Sequence, residues 1–295
     1  LLASTYGGYL RRRTDPEWHD RMKERLQKLL VRMQDLDLVE EQDGKIHLTL
    51  LGQACGESSL PFEEAMKLIE VLRAVSEGSS LGEITAERLM ALLQILSESE
   101  MGYTPLFKRG GSRKESAWQR DVTNYYGQDV TRALQKRAED QYTYWARCKR
   151  AAILWDWIQG RPTRQIEDEY TINPYTGNIG AGEIRRFADS TRFHLQSAFD
   201  IADILLLGRG PDEEEVDQLL KRLEIGLPES ALELLDLPIR LTRGEYLELH
   251  SAGYTQANGV LDSSPEELQD YINDANLQIL QQAVLSEGET PSGSA

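Results

Sequence analysis

Gly182-Glu183-Ile184-Arg185-Arg186-Phe187-Ala188-Asp189-Ser190-Thr191-Arg192-Phe193-His194-Leu195, running on to about Leu207, is the segment around which the rest of the chain is arranged. Ile184, Phe187, Leu195, Ala198, Phe199, Ala202 and Leu205 recur at spacings of three and four, the period of a helix with a wide apolar face. Arg185, Arg186 and Arg192 fall on the other face. Arg186 and Phe193 are two helical turns apart, so they project from one side at an axial separation of about 10.5 Å. A guanidinium for a phosphate and a ring for a base are what single-stranded nucleic acid requires. The competing reading makes Phe193 core and Arg186 an ordinary solvated residue. The chain around them has to decide.

Outward from this helix, residues 61–207 read as all-helical, which implies a bundle. The pattern predicts helices over Phe62–Ser76 and over Thr85–Ser97, the latter capped by Thr85. Gly110-Gly111-Ser112-Arg113-Lys114 predicts a flexible basic loop. Thr131–Gly160 reads as one or two helices with Trp145, Ala152, Trp155 and Ile158 on apolar positions. Trp157 lies about 200° from Trp155 on such a helix. Either that helix is buried on two sides or one ring faces the strand, so Trp157 and the nearby Arg150 join the candidate contacts. A short helix over Thr163–Tyr170, capped by Thr163, and a polar loop Asn173–Asn178 complete the run.

Upstream, a helical stripe of Leu26, Leu29, Leu30 and Met33 is followed by alternating segments around Asp43-Gly44, a strong hairpin signal. Helix then wing is the order of a winged helix, which predicts such a domain over 1–60. That fold serves both for DNA binding and for packing. Arg11-Arg12-Arg13 offers a phosphate contact or an exposed loop. Gly52–Ser59 looks superficially like a phosphate loop but lacks the lysine of GxxxxGK[ST]. No ATPase site is read in this chain.

Downstream, Gly208-Arg209-Gly210-Pro211 reads as a linker and Asp212-Glu213-Glu214-Glu215 as an acidic helix start. Helices follow over Val216–Ile225, Ser230–Leu235, Arg243–Ala252 and Pro265–Ile272, giving a small domain over 208–275. Residues 276–295 are expected to be a largely disordered tail. The fold class is therefore mainly α: winged helix, multi-helix bundle, small helical domain.

The composition, 40% hydrophobic and 28% charged over 295 residues, suits globular cores. No apolar run is long enough for a transmembrane helix, and the opening Leu1-Leu2-Ala3-Ser4 is no signal peptide. A start without methionine suggests a fragment or a processed chain. Two cysteines, Cys55 and Cys148, point to a reducing, intracellular compartment, cytoplasmic (nucleoid-associated) or nuclear. The net charge of -16 argues against attraction of nucleic acid by the whole surface. Its distribution is uneven: Lys and Arg outnumber Asp and Glu by 16 to 12 in residues 101–200, against 5 to 19 in residues 201–295. His19, His47, His194 and His250 are scattered, and Glu167-Asp168-Glu169 reads as a solvated acidic run, so no metal site is expected. No catalytic arrangement emerges from spacing.

The order of parts resembles the C-terminal half of the Ski-type DExH helicases of superfamily two, closest to the archaeal-type DNA repair helicases. Thr49-Leu50-Leu51-Gly52 with Ser58, Leu154–Gly160 with Ile166-Glu167-Asp168-Glu169-Tyr170, and Gly182–Arg186 with Asp189-Ser190 and Phe193 carry the resemblance. It implies a ratchet bundle through which single-stranded DNA passes beneath two motor domains, present in cis or in trans, with ATP and Mg needed by those domains and no cofactor in this chain. It also implies that Arg186 and Phe193 meet the strand, Phe standing where the family usually has Trp, and that Glu167 partners a nearby Arg. The Gly-x-Gly of a helix-hairpin-helix is absent around Leu234–Arg243, which favours a packing or regulatory role, or a protein partner, for 208–275. The alternatives are a self-standing winged-helix interaction or regulatory protein, and an RNA-processing helicase of the same superfamily.

Overall fold

The computed structural model describes residues 6–15, 17–77, 84–96, 113–136, 138–172 and 178–288. Its N-terminal part comprises α1 (Tyr6–Thr14), α2 (Trp18–Asp35) and a two-stranded antiparallel hairpin, β1 (Val39–Gln42) with β2 (Lys45–Leu48). The run Arg11–Arg13 is part of α1 and not a loop. Asp43 and Gly44, with φ of 53° and 70°, make the turn that the dipeptide predicts, in the left-handed geometry that matches strand twist.

Thr49 then starts α3 (Leu50–Glu57): its hydroxyl accepts from Gly52 N–H at 3.0 Å and donates to Asp37 O at 2.5 Å. Gly52 allows the helix to sit on the hairpin, because a Cβ there would lie 1.9 Å from Leu38 O.

Among the described residues seven helices complete the bundle: α4 (Phe62–Glu77), α5 (Ala86–Leu92, continued by a 3-10 turn over Leu93–Ile95), α6 (Arg113–Tyr126), α7 (Gln128–Lys136), α8 (Gln141–Ile158), α9 (Thr163–Tyr170) and α10 (Ala181–Leu206). Thr85 caps α5 as expected, accepting from Arg88 N–H. At α9 the cap position is Pro162, and Thr163 is the first helical residue. Of the predicted basic loop, Arg113 and Lys114 open α6, while Gly110–Ser112 lie outside the described residues, as does most of Asn173–Asn178. Helix α8 runs through the middle, packed against α6, α7, α9 and α10. It is buried nearly all round, which is what a helix with apolar residues on every side requires.

One core extends from Leu36 to Leu223 and takes in Leu36 and Leu38 just before the hairpin, α3 and the bundle alike. It includes α11 (Glu213–Ile225), whose N-cap Asp212 accepts from Glu215 N–H. Glu215 in turn accepts from Ala86 N–H at 2.8 Å, and Arg222 pairs with Glu87 at 2.6 Å. Gly208–Pro211 is thus a tight connection, not a domain boundary; Arg209 O accepts from Ile84 N–H and Pro211 is buried.

The core divides instead at Gly226, which closes α11 at φ +82° with its N–H donating to Arg222 O. A second core runs from Leu227 to Leu280. It holds a 3-10 segment over Glu229–Asp236, α12 (Arg243–Ser251), α13 (Ala257–Leu261), α14 (Pro265–Leu268, shorter than the expected Pro265–Ile272) and α15 (Asp274–Gly288). Residues 276–288, expected to be disordered, are helical, and Leu277 and Leu280 are buried in this second core.

Candidate nucleic-acid interface

Helix α10 is held at both its start and its middle. Its first amides are already taken by carboxylates: Gly180 N–H donates to Glu183 Oε2 at 3.0 Å and Ala181 N–H to Glu167 Oε1 at 2.8 Å. Glu167 therefore caps this helix instead of partnering an Arg. Two of the amides at this N-terminus are thus already occupied by carboxylates. Ile184, Phe187, Ala188, Leu195, Ala198, Ile201 and Ala202 bury the other face.

The solvent face carries Arg185, Arg186, Asp189 and Phe193. Phe193 is 66% exposed, although its ring is apolar, and lies nearly perpendicular to the ring of His194, at 5.0 Å between centroids. Arg186 lies over the ring of buried Phe187, its guanidinium carbon 5.4 Å from the centroid. Among the described residues no carboxylate lies within ion-pair reach of Arg185 or Arg186. The structure thus brings a free guanidinium and an exposed ring onto one flank of a rigid helix.

The other expected contacts fare differently. Arg192 is engaged by Glu224 at 2.6 Å, so one candidate phosphate ligand has an internal counter-ion. Arg150 is buried and donates to Gln94 O at 3.0 Å. Trp157 is buried, donates from Nε1 to Leu223 O at 2.8 Å, and has Arg243 stacked on its ring at 4.1 Å. Neither reaches a strand at the surface. Both were candidates because a helical wheel cannot tell a strand-facing side from a second buried side.

Beside α10 lies a cleft of about 460 Å³ closed by α11 and the start of α12. Four guanidinium groups, Arg185, Arg192, Arg240 and Arg243, face two carboxylates, Asp189 and Glu224. Glu224 is shared by Arg192 and Arg240, at 2.6 and 3.3 Å. Arg243 is fully committed, donating to Gly226 O, Arg161 O and Thr163 Oγ1 at 2.8, 2.8 and 3.0 Å. Burial and the neighbouring Arg185 charge pull its pKa down to about 10.

Residues 90–226 match the family model of archaeal helicase, domain 4. No curated protein matches the chain. The matched stretch contains α10 whole and ends at Gly226, where the first core ends. It supports a helicase accessory region, the C-terminal part of such an enzyme. No helix among the described residues is long and apolar enough to cross a membrane.

Sequence reasoning missed the clamp behind Phe193. Ser59, just past α3, donates from its amide to Ser197 Oγ at 2.8 Å, and its hydroxyl reaches Phe193 O at 3.2 Å and Ser197 Oγ at 3.0 Å. His194, buried beneath, lies 3.4 Å from the same hydroxyl. These contacts span more than 130 residues of sequence, and a pair of serines carries no signal of them. Their effect is local: the backbone that carries the exposed ring is tied to the residue that follows α3.

Proposed function

We propose that this chain is the nucleic-acid-guiding C-terminal region of an ATP-dependent DNA helicase, holding single-stranded DNA as motor domains in cis or in trans advance. One observation carries the reading: Phe193 stands exposed on a clamped helix, two turns from an Arg186 that no carboxylate among the described residues neutralises. Stacking on an exposed ring tolerates any base, and a guanidinium takes the phosphate without reading sequence. Together they suit a strand that moves. Arg185 would add charge on the same flank. The match to archaeal helicase, domain 4, supports the helicase setting, and the hairpin with α2 and α3 is read as the wing of a winged helix packed on a ratchet bundle.

The test is a titration of the chain with fluorescent single-stranded and duplex DNA at low and moderate salt, wild type beside Arg186→Ala and Phe193→Ala. Salt-sensitive binding to single strands that both variants weaken is the expected result. Equal affinity of all three proteins, with folding intact by circular dichroism, would overturn the reading. A ribose-dependent preference for RNA would shift it to an RNA-processing helicase.

A further inference from the structure

The second core exposes a feature that strand guiding does not use. Between α13, α14 and the first turns of α15 lies a groove of about 310 Å³, lined by Val260, Leu261, Pro265, Leu268, Leu277 and Leu280. Its volume falls within the range of ligand pockets, about 300–1,000 Å³. Leu277, Leu280 and Gln281 line it from one face of α15, the three-and-four spacing of a helical wall.

The charge around it is one-sided. From Gly244 to the end of the sequence there are nine Asp and Glu residues and not one Lys or Arg. Asp262, Glu266, Asp270 and Asp274, all exposed, belong to the segments that form the groove or directly adjoin it. None of the four pairs with a cation among the described residues. An apolar floor built from segments that also carry exposed, unneutralised carboxylates repels nucleic acid and anionic membranes. It attracts a cationic ligand with an apolar stripe.

We infer that this groove docks an amphipathic helix of a protein partner, its apolar stripe seated on Leu261, Leu268, Leu277 and Leu280 and its flanking Lys and Arg residues facing the carboxylates. This is helix-in-groove recognition, in which apolar anchors supply affinity and rim charges supply orientation and on-rate. The inference is independent of the strand-binding reading. The groove belongs to the second core, and the strand contacts belong to the first.

The probe is a labelled synthetic peptide of about 18 residues, five turns of helix, with leucines on one face and lysines elsewhere. A scrambled peptide of identical composition reports plain charge attraction. Anisotropy titrations use the full chain, Leu261→Glu on the groove floor, and the rim variant Asp262→Lys/Glu266→Lys/Asp270→Lys, whose side chains make no hydrogen bond among the described residues. The amphipathic peptide is expected to bind at least about tenfold more tightly than the scrambled one, a difference that both variants abolish. Equal binding of the two peptides, absence of binding, or binding unchanged in both variants would overturn the inference. Arg186→Ala and Phe193→Ala should leave peptide binding unaltered, so failure of one reading leaves the other standing.

Discussion

Arg192 and Glu224, 32 residues apart in sequence, meet at 2.6 Å across the cleft between α10 and α11. Glu224 holds Arg240 as well, at 3.3 Å, so one carboxylate restrains two guanidinium groups beside the exposed flank of α10. The Arg192 pair is partly solvated, and such pairs contribute at most about 1 kcal/mol to stability. Their effect on an anionic ligand is larger, because each guanidinium released becomes a phosphate contact. Glu224→Gln is expected to leave the melting temperature within a few degrees of wild type. It should tighten single-strand binding and steepen its salt dependence by about 0.7 in log–log slope per phosphate gained. Titrations at four salt concentrations measure both; an unchanged slope would remove Arg192 and Arg240 from the strand path.

Phe193 and Trp157 are expected to give opposite signatures. Phe193→Ala removes a ring that is two-thirds exposed, so stability should move by no more than about 0.5 kcal/mol. Single-strand affinity should drop by about 1–3 kcal/mol. Trp157→Ala opens a cavity under Arg243 and orphans Leu223 O, at a cost of about 3–5 kcal/mol in folding. Chemical denaturation alongside DNA titration separates the two effects.

Gly226→Ala should be among the most damaging small substitutions. The residue holds φ +82°, and an added Cβ would fall 2.4 Å from the Trp157 ring and 2.5 Å from Arg243. Strain in the left-handed region and the collision act together, so we expect a loss of at least about 2 kcal/mol, read as a lower urea midpoint. A midpoint equal to wild type would show that the junction tolerates a side chain.

Glu245 predicts how the second core responds to acid. Burial works against its charge. Yet Thr242, through hydroxyl and amide, Asn273 through its amide, and Asn276 all donate to the carboxylate and hold it below the usual range. A carboxyl depressed in the folded state contributes stability that is present above its unfolded value, near 4.5, and lost as pH falls through the folded value. Below that point α12 and α15 should separate before the bundle melts. Hydrogen exchange at descending pH should show amides of 243–280 losing protection first, and Glu245→Gln should flatten the pH dependence; uniform loss across both cores would contradict it.

Much of the architecture was legible. The Asp43-Gly44 turn, the Thr85 cap, and the apolar period of α10 each depend on residues close in sequence, and each appears where the pattern places it. What was hidden depends on the third dimension. Gly208–Pro211 has linker composition, but Ile84 donates to Arg209 O and Pro211 is buried, so the second core starts later. Arg150 and Trp157 looked available because polarity and aromaticity suggest surfaces; α8 has neighbours on nearly every side and buries both. Glu224 and Ser59, which set what Arg192 and Phe193 can do, sit in other elements, where no periodicity links them to α10.

Arg243 gives the molecule a mechanical property. Its guanidinium leaves the first turn of α12 and ends in a socket of the bundle formed by the carbonyls of Arg161 and Gly226, the Thr163 hydroxyl and the face of Trp157. The glycine between the two cores would by itself be a free swivel, but this side chain bolts one side of the swivel to the other. A load applied to the C-terminal helices therefore passes in part through this side chain to the ring of Trp157 in α8, the helix at the middle of the bundle. The unit beyond Gly226 is thus pinned to the bundle by side chains as well as by the chain that joins them.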